Sequence, residues 1–125
     1  MPAGFIDYPG EVETWTPVHL YPGINYLAYA MGASSSFGSL GDPALVVYDA
    51  YQNIAVADDT NLTNDAWVSF QVPYEGDFAM NVYDASGYTG SYTANLIFDP
   101  GYVPVTDPSL YGPHLTFVDT GPYIA

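Results

Sequence analysis

Gly41-Asp42-Pro43-Ala44-Leu45-Val46-Val47-Tyr48-Asp49 opens the stretch whose reading decides the fold, and Gly90-Ser91-Tyr92-Thr93-Ala94-Asn95-Leu96-Ile97-Phe98 closes it. Between them lie Ala57-Asp58-Asp59, a strand-like run over residues 66–72, a turn at Glu75-Gly76 and a second run over residues 77–83. Apolar and polar residues alternate through most of this region, and turn residues separate the runs. Successive antiparallel strands with one buried face have this pattern. Leu45 and Val47 fall on one face of the first run, Val68, Phe70 and Val72 on one face of the next. Phe78, Met80 and Val82 share a face after the turn, and Tyr92, Ala94, Leu96 and Phe98 alternate in the last run.

Working outward, residues 11–20 read as a strand in which Pro17 marks an edge position or a bulge, because proline cannot donate to a ladder. Tyr21-Pro22-Gly23-Ile24 has proline ahead of glycine, the type II turn signature, and residues 24–31 read as the return strand of a hairpin. Residues 32–41 are a Ser/Gly loop, 49–53 a turn, 54–57 a strand pairing back, and 58–65 a polar loop. Residues 1–10 read as an irregular arm. Pro100, Pro104, Pro108 and Pro113 forbid regular structure over 99–113, and His114-Leu115-Thr116-Phe117-Val118 is one more short strand. No helix of three turns and no internal repeat is visible. The chain therefore reads as all-β, two antiparallel sheets face to face over residues 11–98, with irregular N- and C-terminal arms at 1–10 and 99–125.

The 125 residues include fourteen carboxylates, two histidines and no lysine or arginine, a formal net charge of −14. Nucleic acid and anionic membrane surfaces are excluded as partners, since both are gripped by lysine and arginine. No apolar run is long enough to span a bilayer, and the first residues lack the basic and apolar regions of a signal peptide. There is no cysteine, hence no disulfide or thiolate site. Charged residues total only 11%, so the surface is largely Tyr, Ser, Thr, Asn and Gly. Such a chain offers no site to trypsin-like proteases and gains little positive charge in acid, which points to an extracellular or cell-surface setting and a fold that survives low pH.

Calcium is the candidate cofactor, because hard cations need several oxygen ligands close together. The densest supply is Asp58, Asp59 and Asp65 with Asn61 and Asn64 in one loop, joined by Glu11 and Glu13 from a neighbouring strand. A solvated acidic loop has the same composition, and no Asp-x-Asp-x-Asp-Gly loop is present. Catalysis has little support. Ser34, Ser35, Ser36, His19 and His114 form no recognisable triad, Gly-x-Ser-x-Gly is absent, and both histidines read as strand residues. Asn61-Leu62-Thr63 is a single N-glycosylation sequon. Thirteen tyrosines either form a sugar-binding platform or cover a surface poor in charge.

Several short pieces resemble the bacterial pre-peptidase C-terminal domain family over residues 10–98. They are Gly10-Glu11-Val12-Glu13-Thr14-Trp15, Leu20-Tyr21-Pro22-Gly23-Ile24-Asn25-Tyr26, the 42–49 stretch, Ala57-Asp58-Asp59, Glu75-Gly76-Asp77-Phe78 and Thr89-Gly90-Ser91-Tyr92-Thr93, in the family's order and spacing. The resemblance implies a jelly-roll sandwich, a non-catalytic secreted module and, as in some relatives, calcium held by acidic residues. The family's first strand has no counterpart here, since an irregular arm stands where it should be. A sandwich one strand short exposes a sheet edge, and an open edge recruits a strand. The segment His114, Leu115, Thr116, Phe117 and Val118 is the expected filler, in its own chain or in a neighbour, with Phe5 and Ile6 of the other arm also in contact. The expectation is a structural subunit that assembles with copies of itself, into filaments where the exchange does not close. The alternative is a calcium-assisted module binding glycan or matrix.

Overall fold

The computed structural model describes residues 3–59 and 63–99. They form eight strands: β1 (Ala3–Ile6), β2 (Val12–Leu20), β3 (Tyr26–Met31), β4 (Pro43–Tyr48), β5 (Asn53–Ala57), β6 (Ala66–Phe70), β7 (Gly76–Asp84) and β8 (Gly90–Phe98), with one 3-10 turn at Ala33–Ser35. Sheet A runs β1-β8-β3-β6 and sheet B runs β2-β7-β4-β5, and every ladder is antiparallel. The pairs nest: β4 with β5, β3 with β6, β2 with β7, β1 with β8. The chain is thus one long hairpin, turned where the Asp49 amide donates to the Gln52 carbonyl at 3.0 Å, then wrapped on itself. This strand order is that of a jelly roll, and the all-β sandwich is as the alternation predicts.

Two expectations change. The N-terminal arm is not irregular: Ala3–Ile6 is a strand, paired residue by residue with Thr93 to Gly90 of β8. The first strand expected to be missing is therefore present, and it lies beside β8. Nor do residues 11–20 and 24–31 form a hairpin. The turn is present, with Gly23 at φ 83°, but it carries the chain from sheet B to sheet A. The same is true between β6 and β7, so among the described residues β4–β5 is the one hairpin of consecutive strands. Asn61 and the segment His114 to Val118 lie outside the described residues.

The core sits between the sheets. Trp15, Leu20, Tyr26, Leu45, Val47, Phe78, Met80, Val82, Tyr92 and Leu96 are all buried in it, each contributing about 1.5–3 kcal/mol of transfer free energy where it is a Val, Leu, Phe or Met. Pro17 explains how β2 serves this core. Trp15 pairs with Met80 and Val18 with Phe78, so one extra residue is inserted on β2. That bulge shifts the inward parity from Glu13 and Trp15 to Val18 and Leu20, and it falls on an edge strand, where a missing amide donor is tolerated. Phe98 departs from its alternation: it is 48% exposed and leans on the Tyr26 ring.

Candidate functional site

One end of sheet B gathers carboxylates. The β4–β5 ladder pairs Leu45 with Ala57, and continuing that register by one or two residues brings the chain before Pro43 beside the chain after Ala57. Asp42, Asp58 and Asp59 meet there, each offering an oxygen within 4.8 Å of the others. Asp42 is anchored: its amide donates to Asp84 Oδ2 at 2.9 Å, its carbonyl accepts from the Ala85 amide, and its Oδ2 accepts from the Ser86 hydroxyl. Its other oxygen, Oδ1, is buried without a protein donor. Partial desolvation, then the charges of Asp42 and Asp59, push the largely exposed Asp58 up to about 6. Asp59 is also raised, first by its hydrogen bond with Asp42. The chain contains no lysine or arginine to face this cluster. A shared proton or a hard cation is what can neutralise it, and three carboxylates around one point suit calcium.

The other acids expected here lie elsewhere. Asp65 is buried, and its Oδ1 accepts from the Gly32 amide at 2.8 Å, tying β6 to the end of β3. Glu11 and Glu13 stand at the same end of sheet B, but β7 and β4 separate β2 from β5. Asp42 was missed because it precedes β4 and lies far from Asp58 in sequence; the hairpin register was the signal that locates it.

Glu11 and Glu13 have a different task. Both are buried on the inward side of β2, beneath β1. Glu13 Oε1 accepts from the Phe5 amide at 3.1 Å and from the Tyr92 hydroxyl at 2.7 Å, while that hydroxyl accepts from Trp15 Nε1 at 3.1 Å. Glu11 Oε1 accepts from the Asp7 amide. Two carboxylates thus latch the backbone of the N-terminal strand. Burial is the main cause that raises Glu13 to about 7, opposed by its two hydrogen bonds and aided by the charges of Glu11 and Asp7. Burial and the same carboxylate also raise Tyr92, so its hydroxyl stays protonated and remains a donor. Gly4 completes the seat: a Cβ there would collide with the Tyr92 ring tip and Glu13 Oε1.

Two surface features remain. A shallow concavity of about 340 Å³ lies on sheet B at the bulge, lined by Thr14, Trp15, Pro17, Tyr48, Ala79 and the carboxylate-bearing Asp49 and Asp77 among others. His19, a strand residue as expected, bonds Glu75 through Nε2 and Asp77 through Nδ1, each at 2.8 Å. Those partners raise its pKa. Comparison of the chain with protein-family models, with curated proteins and with solved structures gives no match.

Proposed function

We propose that this chain is a non-catalytic structural subunit of the cell exterior that assembles with copies of itself through its N-terminal strand. The observation that carries this reading is the seat of β1. Four residues dock on a seat made by the Tyr92 ring tip, against which Gly4 passes, by the Glu13 and Glu11 carboxylates and by the β8 ladder. A neighbour's seat is chemically identical, so exchange of Ala3–Ile6 between molecules preserves every one of these contacts. The connection to β2 is short and carries Gly10 at φ 86°, a hinge position open to rearrangement. Reciprocal exchange closes as a dimer, and head-to-tail exchange propagates as a filament. Phe5, 49% exposed on the outer strand, adds an apolar contact at the junction. A surface rich in tyrosine and devoid of trypsin sites suits an exterior lattice. Negative-stain microscopy and sedimentation of the full chain and of Gly4→Val test the reading. Assemblies for the former and monomers for the latter are expected; a full chain that stays monomeric as concentration rises sinks it.

A second reading, a calcium-assisted module for glycan or matrix, is favoured by the Asp42, Asp58 and Asp59 cluster and by the apolar concavity on sheet B. They lie at opposite ends of β4, so a calcium ion at the cluster would brace the β4–β5 end rather than touch a sugar in the concavity. Calorimetry with calcium, and retention on polysaccharide with and without chelator, decide it. No heat and no retention remove it.

A further inference from the structure

The concavity on the outer face of sheet B is centred on Ala79 of β7, and the ladders explain why a hollow forms there. Tyr48 of β4 pairs with Ala79 on one side. On the other, the bulge that carries Pro17 falls between the Trp15–Met80 and Val18–Phe78 pairs, opposite the same alanine. A methyl group thus lies between a tyrosine ring and a proline ring, with the larger Asn81 and Asp77 two residues away on the same face of β7. The resulting trough of about 340 Å³ is at the low end of the small-ligand range of roughly 300–1,000 Å³, so it suits one side chain and not a whole helix or strand.

Its two ends differ in polarity. At the Asn81 end the polar groups are engaged with one another: Asn81 Oδ1 accepts from the Thr14 hydroxyl at 2.9 Å and from the Tyr48 hydroxyl at 3.1 Å. At the Asp77 end carboxylates gather. The Asp77 side chain is 72% exposed, and its Oδ1 bonds His19 Nδ1, while the other ring nitrogen holds Glu75. Asp49 lines the trough just past Tyr48. Its Oδ1 accepts from the Tyr51 and Gln52 amides at 2.7 and 2.8 Å, and its Oδ2 is buried without a protein donor. With one histidine for three carboxylates, this end stays negative even when His19 is protonated.

We propose that this trough binds a lysine or arginine side chain of a different, partner protein, with its stem across Ala79 between Pro17 and Tyr48 and its cationic head at Asp49 and Asp77. An apolar stem ending in a charge matches an apolar floor ending in carboxylates. The head gains charge-assisted hydrogen bonds there, and the Tyr48 ring alongside offers a face to a cation. A second copy cannot be the occupant, because this chain has no lysine or arginine. Its net charge of −14 also draws a basic partner in before contact. A sugar matches less well: its hydroxyls need polar groups all round, whereas here they stand at one end and the Asn81 oxygen is already taken. The inference depends neither on strand exchange by β1 nor on calcium at Asp42.

The test is NMR titration of the full chain at pH 8 with capped glycine pentapeptides carrying one central lysine, arginine or norleucine, and with methyl glucoside. Saturable shifts at the Ala79 and Thr14 methyls and the Tyr48 ring are expected from the lysine and arginine peptides. Norleucine, which keeps the stem and lacks the charge, should bind more weakly on the order of tenfold. Asp49→Asn with Asp77→Asn should weaken the lysine peptide by a similar factor, since asparagine still accepts from the Tyr51 and Gln52 amides. Ala79→Leu, on the outer face, should fill the trough and abolish the shifts while the core stays intact. Absence of saturation, an equal response to norleucine, or a response to the glucoside in place of the cations overturns the proposal. So does unchanged binding by the double variant, or an equal response at Asp58 and Asp59, since either reduces the effect to general attraction by an acidic surface.

Discussion

Replacing Glu13 by glutamine should make the protein more stable at pH 8 and leave it unchanged at pH 4. The amide keeps an oxygen to accept from the Phe5 amide and the Tyr92 hydroxyl, and it removes a charge from beneath β1. In the folded chain Glu13 releases its proton at about 7, against 4.5 when unfolded. Between those values the folded state holds more protons, so stability falls as pH rises from about 4.5 to about 7 and is level on either side. At about 1.4 kcal/mol per unit the full difference is roughly 3 kcal/mol, which solvent reaching the site past an edge strand reduces to about 1–2 kcal/mol. For a domain of this size that corresponds to about 3–8 °C in Tm. Tyr92 faces this carboxylate as a donor, and Glu11 and Asp7 face it as like charges. The assay is thermal and urea denaturation of both proteins at half-unit steps from pH 4 to pH 8. Asp58, Asp59 and His19 slope the same way, so the difference between the two curves isolates Glu13. Parallel curves, or a variant whose advantage over the wild type shrinks between pH 4.5 and pH 7, refute the reasoning.

Gly4→Val should cost about 1–3 kcal/mol by driving β1 off Tyr92; faster amide exchange in β8 at Tyr92, with β4 protected, is the signature in hydrogen-exchange NMR. Asp58→Asn should raise Tm at pH 8 and not at pH 4, since it relieves carboxylate repulsion that exists only above the raised Asp58 pKa of about 6. The same variant should lose any thermal shift produced by millimolar calcium in the wild type. Leu45→Ala, at a fully buried site, should lower stability by about 2–5 kcal/mol with an unchanged urea m-value. His19→Gln should flatten the fall in Tm above pH 6.5, because the raised His19 pKa makes its pairing with Glu75 and Asp77 a contribution lost as pH increases.

Much of the inward face was legible because alternation reports local parity. Leu45 with Val47, and Phe78 with Met80 and Val82, are buried as their spacing predicts. Pairing was less legible, because parity says which side chains point together but not which strand lies alongside. Residues 11–20 and 24–31 have a turn of the right type between them, yet that turn bridges the two sheets. The register of the β4–β5 hairpin was within reach, and with it the meeting of Asp42 with Asp58; local acidic density pointed instead to Asp65, whose carboxylate is engaged by the Gly32 amide.

The N-terminus misread for a related reason. Pro2, Gly4, Pro9 and Gly10 look like irregular chain when each residue is scored for propensity. Gly4 is there because the strand passes against the Tyr92 ring, a tertiary contact that no local rule anticipates. The acids Glu11 and Glu13 misread likewise: on the sequence they are ligand candidates, whereas the fold turns them inward to hold backbone amides of β1. That use fits a chain without lysine or arginine. Lacking basic side chains to bind buried carboxylates, it gives Glu13 Oε1 and Glu11 Oε1 backbone amides and a tyrosine hydroxyl, while Glu11 Oε2 is buried without a partner, and it leaves Glu13 half-protonated near neutrality. The attachment of β1 is thereby strongest in mild acid. If β1 is what passes between molecules, exchange should be slow at pH 5 and faster at pH 8, an order that mixing differently labelled samples at the two pH values would reveal or reverse.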